Sequence, residues 1–376
     1  MTAGTIRDVR AVLVRAPLPR PIVGPFGTLE ARPNLLAVVE TGGGFRGVGE
    51  VWANFPQWGC ADRIDLIGHG IAPLLRGQPL DDPARLYRLL RARLRPLANQ
   101  WGAPGPVHQA VAGVDVALWD AHARAERRPL ADLLRGGAAG GGRRVPVYGS
   151  GIGPASPGRD IERARSDGHT RFKVRISSGP ERDRNTLREG REAAGGAPLM
   201  ADCNQAYDPG TLRPLADDLA AARLGWLEEP FPVDDDAAYR GWREPASPFR
   251  AIPLALGENA YGLGGIAAAM ESYAPAVVQP DISKTGGITE GREIARAVVA
   301  SGRRLCLHMF GGPVGLFASA HLAAATDGAD WVEMDANPNP LFGTVVTEPP
   351  RVVDGHLLLP DGPGLGIELN DARVGL

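Results

Sequence analysis

The chain has 376 residues, 44% of them hydrophobic, and carries 41 basic against 43 acidic residues. That length buries a substantial core and exceeds one average domain, while the near balance of charge gives composition no nucleic-acid or membrane partner to point to. No stretch approaches the roughly 18 uninterrupted apolar residues of a membrane span, and Met1–Arg15 lacks the apolar core and cleavage site of a secretory leader. Cys60, Cys203 and Cys306 are odd in number and show no metal spacing, so reduced, buried thiols in a cytoplasmic protein are expected.

Residues 6–60 read as strands, with apolar runs at Val9–Val14 and Leu35–Glu40 and a Gly42-Gly43-Gly44 turn leading into Gly47–Val51. Two loops bearing glycine and proline, Pro19–Leu29 and Trp52–Cys60, interrupt them. Residues 62–135 read as helices: Ala110, Val111, Val114, Leu118 and Trp119 recur at helical spacing, and Gly136-Gly137 is a stop signal. An α+β domain over 1–140 follows, ending in the glycine-rich linker Gly136–Gly142.

From Arg144 short apolar runs alternate with helical segments, the pattern of βα units on a parallel sheet. The predicted strands are Val145–Tyr148, Arg171–Arg175, Pro198–Asp202, Trp226–Glu228, Pro253–Gly257, Ala276–Val278, Arg304–Leu307 and Trp331–Glu333. Eight strands with seven helical connections suit a (β/α)7β barrel of the TIM type over 141–340. The tail, 341–376, has β-type runs such as Leu357-Leu358-Leu359 and is expected to return to the N-terminal domain.

The polar residue ending each strand carries the chemistry. These are Lys173 and Arg175, then Asp202, Glu228, Glu258, Asp281, His308 and Glu333; from Asp202 onward the intervals are 26, 30, 23, 27 and 25 residues. Each interval is one βα unit, so the side chains fall at the C-terminal ends of the strands, where barrel active sites are built. A single Asp at such a position is as often the N-cap of the next helix. Asp202, Glu228 and Glu258 on consecutive strands repel one another in a cavity unless a cation joins them, and all-oxygen ligation with room for water and substrate suits Mg²⁺. Asp281 beside His308 orients the imidazole and raises its basicity, which makes His308 a candidate general base or acid. Glu333, in its protonated form, would donate a hydrogen bond to a substrate carboxylate oxygen and stabilise an enediolate.

Of the 41 basic residues only Lys173 and Lys284 are lysine. A chain that uses arginine wherever it serves keeps lysine where a compact ammonium is needed. Lys173 is placed at the rim to neutralise the substrate carboxylate. Lys284 either structures the loop after Asp281 or acts on Asp281 electrostatically.

The ordered motifs Ala201-Asp202-Cys203-Asn204-Gln205, Trp226-Leu227-Glu228-Glu229-Pro230, Gly257-Glu258-Asn259, Gln279-Pro280-Asp281 with Lys284 and Gly286-Gly287, and His308 resemble the enolase superfamily. Val114–Asp120 resembles the helix of its capping domain, and the Asp281–His308 pair is similar to the mandelate-racemase-like subgroup. The resemblance implies a modified barrel under an α+β cap completed by the C-terminal segment. It implies Mg²⁺ on Asp202, Glu228 and Glu258, proton abstraction by His308, and a small carboxylate substrate. The two loops would close over the distal end of that substrate, with Trp52, Asn54, Phe55 and Trp58, and also Asn204, as substrate-binding residues. A homo-oligomer is the default for such a chain.

One departure bears on the reaction. The subgroup pairs two lysines on the second strand, the second a base on the opposite face; here the strand reads Lys173-Val174-Arg175. Arginine, with a pKa above about 12, is a poor proton acceptor. One competent base favours dehydration of a sugar acid to a 2-keto-3-deoxy acid over racemisation or epimerisation, which needs two. A non-catalytic metal-binding protein of this fold is the alternative from another class.

Overall fold

The structure, a computed structural model, describes residues 3–24, 26–136 and 142–376. The predicted linker lies outside the described residues except for Gly136 and Gly142. Strands β1 (Ile6–Gly24), β2 (Gly27–Thr41) and β3 (Arg46–Val51) form an antiparallel sheet in that order.

The segment Pro19–Leu29, predicted as a loop, is instead the far end of the β1–β2 hairpin. Ile22 pairs with Leu29, Val23 with Thr28 and Gly24 with Gly27, after a register shift between Pro17 and Ile22. Prolines 17, 19 and 21 cannot donate to a ladder, so pairing slips across them and resumes at the β-branched residues beyond.

Helix Pro104–Ala125 is buried along most of its length and packs on β3. The contact is close because β3 presents glycines: a Cβ on Gly49 would lie 1.9 Å from the Gly113 carbonyl, and one on Gly47 2.1 Å from that of Ala117. The two acids of this helix tie the cap to the rest of the chain. Asp115 accepts from Thr289 N and Oγ1 at 2.8 and 2.7 Å, and Asp120 accepts from Val48 N and Leu365 N at 3.0 and 2.8 Å.

The barrel strands are β4 (Arg144–Ile152), β5 (Phe172–Arg175), β6 (Leu199–Asp202), β7 (Leu227–Glu228), β8 (Leu254–Leu256), β9 (Val277–Val278), β10 (Arg304–Leu307) and β11 (Ala329–Asp335). They pair in parallel in sequence order, and β11 pairs back onto β4, closing the barrel. All eight predicted strands are present. A hairpin of β12 (Val352–Val353) and β13 (His356–Leu358) adds antiparallel to the start of β4. The rest of the tail meets the cap through the Arg46–Asp371 pair at 2.9 Å and the Leu130 N to Gly364 O bond at 2.7 Å.

Strand alternation stacks two layers inside the barrel. The lower is a buried cluster of Tyr148, Met200, Trp226, Ala255, Val277 and Cys306 with Trp331 against it. Two residues further along the same strands stand Ser150, Asp202, Glu228, Gly257, Gln279, His308 and Glu333. An apolar floor thus lies directly beneath an ionisable rim. Among the described residues no helix is long and apolar enough to cross a membrane, and all three cysteines are buried and free.

Candidate active site

Strand ends set the site. Asp202 and Glu228 are register partners, and Arg175 pairs with Asp202. The turns that follow are tight: Asn204, Gln205 and Glu229 adopt φ of 45°, 63° and 34°, a left-handed conformation that costs non-glycine residues about 1 kcal/mol or more each. Such strain persists only where surrounding contacts hold it. Here Asp202 Oδ1 accepts from Asn204 N at 2.8 Å, and Glu229 accepts from Gln205 and Asn259 side chains at 2.9 and 2.8 Å.

Lys173 rises from β5 into the middle of the acids. Its Nζ lies 2.7 Å from Glu228, 2.9 Å from Glu333 and 3.4 Å from Asp202, fully buried. Burial works against the ammonium, but Glu228 and Glu333 outweigh it and hold its pKa well above the ordinary lysine value. Burial pushes Glu228 up to about 8 in spite of Lys173. Glu228 Oε2 also accepts from Gln279 at 2.7 Å, whereas the buried Oε1 has no hydrogen-bond partner.

Asp281 does two jobs at once. Its Oδ1 accepts from Ser283 N and Oγ at 2.8 and 2.6 Å, capping the short helix Ile282–Thr285, and its Oδ2 accepts from His308 Nδ1 at 2.8 Å. That bond fixes the ring and turns Nε2 to the cavity, where it meets Glu258 and lies 3.7 Å from Glu333. Burial alone would lower the pKa of His308; Glu258, Glu333 and Asp281 together raise it well above 6.5. Burial favours the acid form of Glu333, but Lys173 and His308 hold its carboxyl below the usual range, so it accepts from Tyr148 OH at 3.1 Å and does not donate.

One cavity at the barrel mouth is lined by Arg175, Asp202, Asn204, Glu258, Lys284, His308 and Glu333 below and by Trp52 and Phe55 above. Two predicted substrate residues stand elsewhere. Asn54 is buried with its amide donating to the Phe310 carbonyl, and Trp58 is 78% exposed on the outer surface. The cavity also takes Ile22, Phe26 and Leu29, from the segment expected to close over the substrate, and Ser150, Gln205, Asn259 and Phe310, which were not expected as site residues. Ser150 was findable, because it extends β4 two residues past Tyr148 on the inward face. Ile22 and Leu29 cover the cavity as that expectation has it, but as paired strand and not as loop.

The ligand atoms that lie within 4.8 Å of one another belong to Glu228, His308 and Glu333, and the expected group of Asp202, Glu228 and Glu258 does not close to that span. The cause is local: Lys173 stands between Asp202, Glu228 and Glu333, and His308 stands on Glu258. The site still fits a hard cation. Buried carboxylates of Asp202, Glu228, Glu229, Glu258, Asp281 and Glu333 outnumber the lysines and arginine among them, and Glu228 Oε1 is a buried oxygen without a donor. A hard cation takes carboxylate oxygen in preference to imidazole nitrogen, so Glu258 and Asp202 are better partners for Glu228 than His308 is.

Residues 6–135 match the mandelate racemase / muconate lactonizing enzyme N-terminal domain, and residues 158–373 match the enolase C-terminal domain-like family. The chain belongs to the mandelate racemase / muconate lactonizing enzyme group of the enolase superfamily. It is 28% identical over 342 residues to an arabinonate dehydratase of Saccharolobus solfataricus, covering 89% of this chain and 87% of that one. It is 28% identical over 384 residues to a D-galactarolactone cycloisomerase of Agrobacterium fabrum, covering 97% and 96%. A mandelate racemase/muconate lactonizing enzyme structure from Bordetella bronchiseptica superposes with a TM-score of 0.86 at 38% identity over 99% of this chain and 98% of that one. An enolase from Bradyrhizobium, complexed with magnesium and mandelic acid, superposes with a TM-score of 0.85 at 31% identity over 100% and 98%. The superfamily relatives thus include dehydratases, cycloisomerases and racemases.

Proposed function

We propose that this chain is a hydro-lyase that removes the α-proton of a 2,3-dihydroxycarboxylate and expels the β-hydroxyl, giving a 2-keto-3-deoxy acid. The observation that carries this is the asymmetry of the mouth. His308, oriented by Asp281, is the one well-placed base, and the strand position opposite holds Arg175. The neutral form of His308 takes the α-proton at Nε2, the ring atom facing the cavity, and the resulting imidazolium returns it to the departing hydroxyl. Lys173, held charged by Glu228 and Glu333, and Arg175 supply positive charge toward the substrate carboxylate. Asp202, Glu228 and Glu258 are the residues that would hold Mg²⁺, which when bound neutralises the substrate carboxylate and makes the α-proton acidic. Sugar acids are one branch of this substrate class, and relatives named arabinonate and D-xylonate dehydratase support it.

Incubation with aldonic, aldaric and other dihydroxy acids plus Mg²⁺ in D₂O tests the reading. The expected result is a 2-keto product with solvent deuterium at C3. Deuterium at C2 of recovered substrate, with formation of its epimer and no loss of water, would establish the second reading, racemisation or epimerisation. The neighbouring structure that holds mandelic acid favours that one. Absence of exchange across the whole panel would point to a non-catalytic metal-binding protein.

A further inference from the structure

The cavity has two unlike ends. Its floor is the ionisable rim. Its roof is apolar: Ile22 and Leu29 from the β1–β2 hairpin, Trp52 and Phe55 from the loop after β3, and Phe310 two residues past His308. Phe26 closes the far side, its ring 5.7 Å from that of Phe55.

Among the described residues, the side-chain amides near and lining the cavity are already engaged. Asn54, the amide carried by the loop between Trp52 and Phe55, is buried and spends its donor on the Phe310 carbonyl. The rim amides are bound to acids: Asn204 Nδ2 to Asp202 at 2.9 Å, Gln205 Nε2 to Glu229 at 2.9 Å, and Asn259 Nδ2 to Glu229 at 2.8 Å. Asn259 Oδ1 takes the Lys284 ammonium at 2.8 Å. Arg175 and Ser150 sit at the level of Asp202 and Glu333, at the carboxylate end of the cavity.

A polyhydroxylated chain under such a roof would surrender water from each hydroxyl without a protein partner in return. An aryl or alkyl group there gains by the area it removes from water. We propose that the part of the substrate beyond C3 is apolar: a 2,3-dihydroxycarboxylate bearing an aryl or alkyl group in place of a sugar chain. This rests on the dehydration reading and narrows its substrate class. The reaction is R–CH(OH)–CH(OH)–CO₂⁻ to R–CH₂–CO–CO₂⁻ plus water. The C2–H bond breaks with its proton going to His308. The C3–O bond breaks with the hydroxyl leaving as water on that proton, and the enol formed tautomerises to the ketone.

The test sets 2,3-dihydroxy-3-phenylpropanoate and 2,3-dihydroxyhexanoate, in all C2/C3 configurations, against the pentonic acids, with Mg²⁺ in D₂O. Both α-proton exchange and 2-keto product are read. The best apolar-tailed acid is expected to exceed the best pentonate in kcat/KM by about tenfold or more, equivalent to about 1.4 kcal/mol. Phe55→Asn and Leu29→Asn, each checked for folding by circular dichroism, are expected to shrink that ratio by raising KM for the apolar-tailed acids. A pentonate that matches or exceeds them overturns the proposal. Exchange without 2-keto product sinks the dehydration reading, while the ratio of exchange rates still scores the tail. No exchange with any acid sinks both.

Discussion

The Lys284 ammonium lies 4.6 Å from the centre of the Trp52 ring while donating to Asn259 Oδ1 at 2.8 Å, 3.8 Å from Glu258. Trp52 belongs to the cap and Lys284 to the barrel, so one buried cation joins the roof of the cavity to its acid rim. Trp52 N also donates to the Ser283 carbonyl at 3.3 Å, which holds the ring over this position. An ammonium places a point charge and one donor at this position, whereas arginine is longer and spreads its charge over a planar fork. Lys284→Arg is therefore expected to behave like a loss variant: Lys284→Arg and Lys284→Met should each cut kcat/KM about tenfold to a hundredfold, the range of a lost charge-assisted hydrogen bond. Steady-state kinetics on any accepted carboxylate checks this. Parent-like activity in the arginine variant would refute the need for a compact cation.

His308→Asn separates two assignments of the metal site. Removing a general base typically costs about 10²–10⁴ in rate, so NMR should show α-proton exchange falling by about a thousandfold. If Mg²⁺ is held by Asp202, Glu228 and Glu258, the variant keeps the stabilisation that Mg²⁺ confers. If Glu228, His308 and Glu333 hold the ion, that stabilisation disappears with the exchange activity. Thermal denaturation with and without Mg²⁺ reads the difference.

Mg²⁺ itself should stabilise the parent protein by about 2.7 kcal/mol at a concentration one hundredfold above its Kd. Chelation should return the midpoint to the metal-free value. Asp202→Asn is predicted to abolish this response. Burial and the Glu258 charge raise the pKa of Asp202 although Lys173 opposes them, so a neutral side chain relieves repulsion even as it weakens the Asn204 contact. Metal-free stability should stay within about 1 kcal/mol of the parent. A large loss of metal-free stability with an intact Mg²⁺ response would assign Asp202 a purely structural role.

The barrel was legible because each strand ends in a functional polar residue one βα unit after the last, a spacing that survives in one dimension. Lys173 and Lys284 were legible because nearly every other basic residue is arginine. The cavity roof was legible only in part: Trp52, Phe55 and the segment Pro19–Leu29 were expected over the substrate, but neither the pairing of that segment nor Phe310 was. Pro17, Pro19 and Pro21 mask a hairpin whose pairing resumes at Ile22, and Phe310 joins Leu29 only after the chain has closed around the barrel. Asn54 was legible as a residue type but not in its direction, which the Phe310 carbonyl beyond a distant strand end sets. The ionisation of Glu333 was equally hidden, since it depends on Lys173 rising across the barrel to reach it.

His321 predicts an acid limit to stability that is independent of the active site. It is fully buried, accepts from Ala131 N at Nδ1 and faces the Leu365 carbonyl with Nε2, both at 3.1 Å, so it joins the cap–barrel connection to the tail as a neutral ring. Burial pushes its pKa down to about 4, Arg143 adds to that, and the Leu365 contact and Asp132 oppose it. Between the unfolded value near 6.5 and about 4, the unfolded chain binds the proton and the folded one does not. The stability due to the neutral ring is therefore complete above pH 6.5 and falls as pH drops toward 4, by about 3 kcal/mol in all. His321→Gln keeps an acceptor and a donor in place but cannot titrate. The parent-minus-variant difference in unfolding free energy, which cancels the other acids, should fall by about 2–3 kcal/mol from pH 7 to pH 4. Parallel curves for parent and variant in urea titrations over that range would rule the mechanism out.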